Sequence, residues 1–387
     1  MSKSEEVTAA IPDPNVEPSP DHAGIGPGRA GTDRAPCGHP EAASAVQFVS
    51  TDYLTGDAFS LIRCSRCGLG WTSPQPDRDA CGRYYPDPYH GQPGVARFPW
   101  YVERLQAWLY GRRAKEIESV AGGLDARCRA VLDIGCGRGH QLEAFRARGW
   151  AVMGTELSDQ SARHAREVLG IEVQTGAPST WRDLAGRFDA VVLWHVLEHL
   201  QDPSGILREA HRLLRPGGIL LVGVPNLNSF EARITTDRWF HLDLPRHLWH
   251  FTPASMQGLI KDSGFLEVRW NWFAPEFDLF SLIQSIENAL GLPRNLLYSV
   301  LRKPGARLLP GRPGFGWVCL GLLLAVPLGV FGLPFVLVAG WLKSGSSMTV
   351  IARTPVAETA TPHGHRNIHP EVPLHCPEDS ARSRSCH

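Results

Sequence analysis

The sequence predicts an α/β protein built on a doubly wound, mostly parallel sheet, and three observations carry that prediction. The run Val131-Leu132-Asp133-Ile134-Gly135-Cys136-Gly137-Arg138-Gly139 reads as a buried strand breaking into a glycine turn that opens a helix. A second strand, Trp150 to Thr155, follows and ends on Glu156, seventeen residues past Gly139. Strand and helix then alternate, with strands near 131–134, 151–155, 171–174, 188–193 and 218–224 and helices near 139–148, 158–169 and 203–214. That order demands parallel pairing through crossover helices.

Each element has a local reason. Three glycines let the backbone approach a ligand with no Cβ in the way, and the helix start behind them points free N–H groups at it. The spacing G-x-G-x-G is one residue short of the dinucleotide form, and a carboxylate at Glu156 can accept both hydroxyls of a ribose. Trp100 to Val120, with Leu105, Trp108, Leu109 and Ile117 among charged residues, suits an amphipathic helix over the ligand site, ended by Gly122-Gly123. Pro253 to Ser263 reads as a helix capped by Thr252, and Gly264 stops it before a strand from Phe265 to Phe273.

These motifs resemble the class I S-adenosylmethionine-dependent methyltransferases. Asp133 to Gly139 is similar to their first motif, Glu156 to their second, Phe188 to Leu200 to their fourth strand and its exit, and Leu213 to Gly218 to the turn into the fifth. The resemblance covers roughly residues 130–273 and resumes at 346–353. It implies a seven-stranded Rossmann-like methyltransferase fold whose last strand, antiparallel to the others, must be Ser346 to Arg353. It also implies that Asp133, Gly135, Cys136, Gly137 and Gly139 hold the methionine part of the cofactor, Glu156 the ribose, and Leu157 flanks the adenine, with Trp194 beside them. An acidic residue common in the third motif has no counterpart in Thr175-Gly176-Ala177.

Methyl transfer from a sulfonium is an in-line displacement, so the protein mainly positions the acceptor and, for a hydroxyl, removes its proton. His195, just past the fourth strand, and His247, in the family-like phrase Pro245-Arg246-His247, are the candidate catalytic residues. His199 is read as a brace. The loop carrying Arg233, Arg238, Trp239, His241, Asp243, Arg246, His247 and His250 is expected to be a lid or acceptor pocket, with Arg238 and Arg246 suited to a phosphate or carboxylate.

At 387 residues and 43% hydrophobic content the chain can bury a sizeable core. Lys+Arg and Asp+Glu are both 39, which disfavours a nucleic-acid partner. Nine scattered cysteines and no apolar run after the initiator Met argue for a reducing cytoplasm. Residues 1–35 and 354–387 are too polar and Pro-rich to order. Residues 36–90 form a small module that resembles the zinc-ribbon-like region of some of these methyltransferases. Its Cys64-Ser65-Arg66-Cys67-Gly68 is a metal knuckle, and Cys37 with His39 would complete a structural zinc site, the alternative being a metal-free turn. Residues 91–129 form a helical cover and 130–273 plus 346–353 the methyltransferase domain.

That leaves 274–345 as an insertion, within which Trp317 to Leu342 carries no charge. The length suits a membrane helix. A single crossing would strand the last β-strand on the wrong side of the bilayer, and Pro327, Gly329, Gly332 and Pro334 suit a break. The expectation is therefore a shallow re-entrant hairpin on the cytoplasmic leaflet, flanked by Lys303, Arg307, Arg312 and Lys343, with a homodimer interface as the alternative. The reading is an enzyme methylating a small-molecule, glycan or lipid-linked acceptor at the cytoplasmic face of the membrane. Its rivals are a non-catalytic membrane adaptor and an NAD-dependent oxidoreductase.

Overall fold

A computed structural model describes residues 36–40, 43–86, 92–122, 129–175, 184–275, 277–302 and 314–356. The expected disorder of 1–35 and of nearly all of the C-terminal tail lies outside them, as do Gly123, Gly176, Ala177, Lys303, Arg307 and Arg312.

Three antiparallel strands open the chain: β1 (Ser44–Thr51), β2 (Ala58–Cys64) and β3 (Gly70–Ser73). The helix α1 (Trp100–Val120) leads into β4 (Ala130–Ile134), α2 (His140–Arg146), β5 (Ala151–Thr155), α3 (Asp159–Arg163), β6 (Val173–Gln174) and β7 (Phe188–Trp194). After α4 (Pro203–Leu213) come β8 (Leu214–Pro225), α5 (Phe230–Thr235), β9 (Trp249–His250), α6 (Pro253–Asp262) and β10 (Leu266–Asn271). The insertion supplies α7 (Asp278–Ala289), α8 (Leu296–Leu301) and α9 (Phe315–Trp341) before the closing β11 (Ser347–Arg353).

The main sheet has seven strands in the order β10-β11-β8-β7-β4-β5-β6. β11 runs antiparallel to β8 and to β10, and the remaining pairs are parallel. This is the Rossmann-like sheet the motifs called for. Because successive strand residues point to opposite faces, Leu132, Val191 and Val222 enter one core with Trp71 and Trp249, while Val131, Val192 and Leu221 enter the other with Ile117 and Phe145. The helix caps follow sequence: Thr252 accepts from Ser255 N–H while Ser255 Oγ accepts from Thr252 N–H, and Pro253 fills the first turn.

Two expectations change. The module at 36–90 is not closed on itself. β9, from the methyltransferase region, completes its sheet with Trp71 opposite Trp249 and Gly70 opposite His250, and Cys37, Cys64 and Trp71 share a core with Leu132 and Leu220. Four strands of that sheet bury more apolar surface against the larger domain than three could alone.

The re-entrant hairpin is also replaced. α9 is one continuous 27-residue helix with Pro327 and Pro334 inside it, about 40 Å long at 1.5 Å per residue. Gly321 and Gly332 within it are packing points rather than breaks. A Cβ at Gly332 would lie 3.0 Å from Leu282 and one at Gly321 would lie 3.2 Å from Leu296, so the missing side chains let α9 settle onto α7 and α8. α7 in turn presents its polar face to the domain, where Ser285 Oγ accepts from Phe240 N–H at 2.8 Å and donates to Glu231 at 2.7 Å. Since α7 and α8 are buried between α9 and the domain, α9 lies along the protein surface.

Candidate active site

The glycine turn sits at the carboxyl ends of the parallel strands, where α/β sheets place their ligands. Gly135, Gly137 and Gly139 have φ of +71°, +55° and +82°, a region costly for other L-residues. Each has a different spatial reason. A Cβ on Gly135 would stand 2.5 Å from Val196 and one on Gly139 2.8 Å from Ala165, whereas one on Gly137 would meet nothing within 4 Å. The first two glycines fit the turn to the protein, and the third leaves open space for a bound group.

Glu156 closes the cradle. Its carboxylate accepts Gly137 N–H and Ser158 N–H, each at 2.8 Å. Burial raises its pKa against those hydrogen bonds. Asp133 is buried, and desolvation pushes its carboxyl up to about 7 despite the nearby Arg113 cation. A cationic amino group arriving there would favour the ionised form. Cys136 contributes backbone, since its N–H donates to Thr155 O at 2.9 Å while its sulfur packs towards Gly154. Leu157 is exposed at the rim, and Trp194 lies under the Arg113 guanidinium, 3.4 Å from the ring centroid. Residues from three strand ends, those of β4, β5 and β7, thus line one side of the sheet's carboxyl edge.

His195 leaves β7 in a left-handed conformation, φ +52°. Its Nδ1 lies 3.2 Å from Glu198 Oε1, and its ring packs 4.2 Å from that of Phe277. A carboxylate on Nδ1 fixes the tautomer and leaves Nε2 as the basic nitrogen. His247 is placed behind this pair. It is buried, its Nδ1 donates to His241 O at 2.8 Å, and burial lowers its pKa to about 4. Glu198 joins it, since ligand-type atoms of Glu198, His199 and His247 all lie within 4.8 Å of one another. His199 Nδ1 meets Arg246 O at 2.9 Å and Tyr85 Oη at 3.0 Å.

The loop expected to be a lid is packed interior over most of Trp239 to His250, while Arg233 and Arg238 stay exposed. Arg246 has no exposed side chain and pairs with Asp52 and Asp243, each at 2.7 Å, with its guanidinium over Tyr53. It is fully engaged, so it holds no phosphate or carboxylate. Burying such an ion demands that every charge be paired locally, and the partner from β1's far end was invisible in sequence. Arg238 pairs with its neighbour Asp237 at 3.1 Å. Sequence reasoning left Glu198 and Arg113 without roles. The i,i+3 spacing of His195 and Glu198 was a usable signal, whereas Arg113 reaches Trp194 only through the packing of α1.

Cys37, His39, Cys64 and Cys67 converge with their ligand atoms all within 4.8 Å, and His39 Nδ1 lies 3.5 Å from Cys64 Sγ. Hydrogen bonding from the Cys37 and Cys67 thiols holds Cys64 far below the usual thiol range, while Cys37 is pushed up to about 11. Two thiolate-forming residues from the knuckle and a Cys/His pair from the preceding turn are a donor set that fits tetrahedral zinc.

The sheet order, the glycine turn and the acid ending β5 define a class I S-adenosylmethionine-dependent methyltransferase, and the chain belongs to that family. A family profile described as a methyltransferase domain matches residues 104–268. The ubiquinone biosynthesis O-methyltransferase of Cereibacter sphaeroides is 32% identical over 171 residues, 38% of this chain and 69% of the relative. That of Xanthomonas oryzae pv. oryzae is 29% identical over 177 residues, 42% and 74% of the two chains. A solved S-adenosylmethionine-dependent methyltransferase from Archaeoglobus fulgidus has a TM-score of 0.40 at 18% identity, covering 64% of this chain and 94% of that one. The protein is a small-molecule methyltransferase with S-adenosylmethionine as cofactor, which removes the oxidoreductase and adaptor readings.

Proposed function

We propose that the chain methylates a hydroxyl of a lipid-linked or membrane-partitioned acceptor at the cytoplasmic face of a membrane, with His195 as general base and Glu198 as its positioning residue. Bound cofactor supplies an activated methyl group. Asp133 and the glycine turn orient it, Glu156 takes the ribose hydroxyls, and His195 accepts the acceptor's proton. His247 is read as packing that supports Glu198 rather than as a base. The O-methyltransferase activity named for the two relatives agrees with a hydroxyl acceptor.

The observation that carries the membrane reading is the outer face of α9. Phe315, Leu323, Val326, Val330, Phe331 and Trp341 are between 64% and 85% exposed. Burying six such side chains in an apolar phase is worth roughly 10 kcal/mol at about 1.5–3 kcal/mol each. Trp317 and Trp341 add exposed indole rings to this helix, a side chain suited to the headgroup level. α9 would lie in the interface plane, since crossing the bilayer would tear it from α7 and α8.

Full-length protein should float with lipid vesicles and resist about 1 M salt, where screening is complete within ~3 Å. Val326→Glu with Phe331→Glu should abolish flotation and leave binding of S-adenosylhomocysteine intact. Soluble dimers of the unmodified protein in the absence of detergent would refute the placement and favour a homodimer seated on α9.

The cysteine cluster we assign as a structural zinc site tying the N-terminal strands to β9. Zinc measured by mass spectrometry should approach one per chain and drop on Cys64→Ser. Strong chelation should lower the melting temperature. Metal-free protein of unchanged stability would argue for a plain packed turn.

A further inference from the structure

Between α1 and the ends of β7, β10 and β11 lies a cavity of about 580 Å³ to which no role has been given above. Its wall is cationic. Arg112, Arg113 and Lys115 come from α1 and Arg269 from β10, against the single carboxylate of Glu116. Glu116 is already engaged, 3.8 Å from Arg269 and hydrogen-bonded by the Asn271 amide. Its remaining surface is largely aromatic, formed by Trp194, Trp272 and Phe273. Neither the glycine turn nor Glu156 lines it, so it adjoins the cofactor cradle through the shared wall of Trp194.

The other side of the cavity meets the apolar helix. A Cβ on Gly340 would lie 3.0 Å from Phe273 Cβ and 3.3 Å from Trp272 O, so the last turn of α9 rests on two residues of the cavity wall. Trp341, the next residue, is 81% exposed. A positively charged recess therefore stands between the methyl-transfer face and the end of the helix that meets lipid.

We infer that this cavity binds the phosphate or diphosphate head of the acceptor, with the acceptor's chain leaving along α9. The inference rests on the membrane-attached methyltransferase reading and specifies its substrate class. Arg113 is held by Gln141 and Trp194 with the Asp133 carboxylate nearby, and Arg269 pairs with Glu116, which leaves Arg112 and Lys115 at the cavity wall as the cations available to an anion. A phosphoryl group, carrying about −1.5 to −2, balances that excess better than a single carboxylate does. Guanidinium forks match its oxygens through charge-assisted hydrogen bonds. The aromatic wall would hold the first carbons of an apolar chain.

The test is calorimetry on the full chain in detergent with S-adenosylhomocysteine bound, using geranyl diphosphate, geraniol and inorganic diphosphate as probes. Geranyl diphosphate should bind at least about tenfold more tightly than geraniol, a difference of ~1.4 kcal/mol. Arg112→Glu with Lys115→Glu, both at exposed positions of α1, should remove that preference, and Arg112→Lys should retain most of it. S-adenosylhomocysteine affinity should stay constant in all three proteins, which shows that the fold is intact. Inorganic diphosphate binding as tightly as geranyl diphosphate would support the phosphoryl site and assign it to a soluble phosphate compound. Equal binding of geraniol and geranyl diphosphate, or charge reversal without effect, would overturn the inference. Failure of the membrane reading is seen separately, as loss of vesicle flotation by the unmodified protein.

Discussion

Valine at position 137 should cost the protein its cofactor and little of its stability. The Gly137 backbone has φ +55° and an added Cβ would touch no protein atom within 4 Å, so the branched side chain enters the open space of the cradle. Left-handed backbone strain on a β-branched residue costs about 1–3 kcal/mol, which leaves most domains folded. S-adenosylhomocysteine affinity should fall by about 100-fold or more, ~2.7 kcal/mol. Gly135→Ala is the contrasting variant. Its Cβ would lie 2.5 Å from Val196, so thermal unfolding rather than ligand binding should register the damage first. Unchanged affinity in the Gly137→Val protein would remove the glycine turn from the binding site.

The second large effect belongs to His195. Single-turnover transfer of labelled methyl into a membrane lipid extract should slow by about 10²–10⁴ in His195→Gln, the range for loss of a general base. Cofactor affinity should not change, because the imidazole faces Glu198 and Phe277 rather than the glycine turn. Glu198→Gln should slow transfer in the same direction, and Glu198→Asp should restore part of it, as expected of a residue acting through His195. A His195→Gln protein with full transfer activity would mean that the acceptor needs no base there. In that case an acceptor more nucleophilic than a hydroxyl becomes the better reading.

The cofactor cradle was legible in sequence because its parts are local. Asp133 to Gly139 is one strand end and one turn, and Glu156 is the end of the next strand, so hydrophobic pattern and glycine spacing place all of them. His195 with Glu198 was similarly within reach, three residues apart on one turn. The acceptor side was not. Arg246 reads as an exposed phosphate ligand until Asp52, nearly two hundred residues earlier, is seen to neutralise it. Arg113 gains meaning only when α1 lays it on Trp194.

The apolar segment shows the same division. Its length, lack of charge and position between two strands of one sheet could be read directly, and these sufficed to place both ends of the insertion on one side of any membrane. Whether it bends depended on what it packs against. Pro327, Gly329, Gly332 and Pro334 read as breakers in an isolated helix, but the helix runs through them, and Gly332, with Gly321 and Gly340, becomes a point of close approach to α7, α8 and Phe273. Periodicity and turn chemistry act over a few residues, so the sequence by itself determined where the strands and helices alternate, the cofactor turn and the presence of an apolar insertion. Pairing of charges, seating of glycines and the joining of β9 to the N-terminal strands are contacts between residues far apart in the chain. Only the tertiary structure decided them, because the energy of each depends on the partner that folding brings alongside.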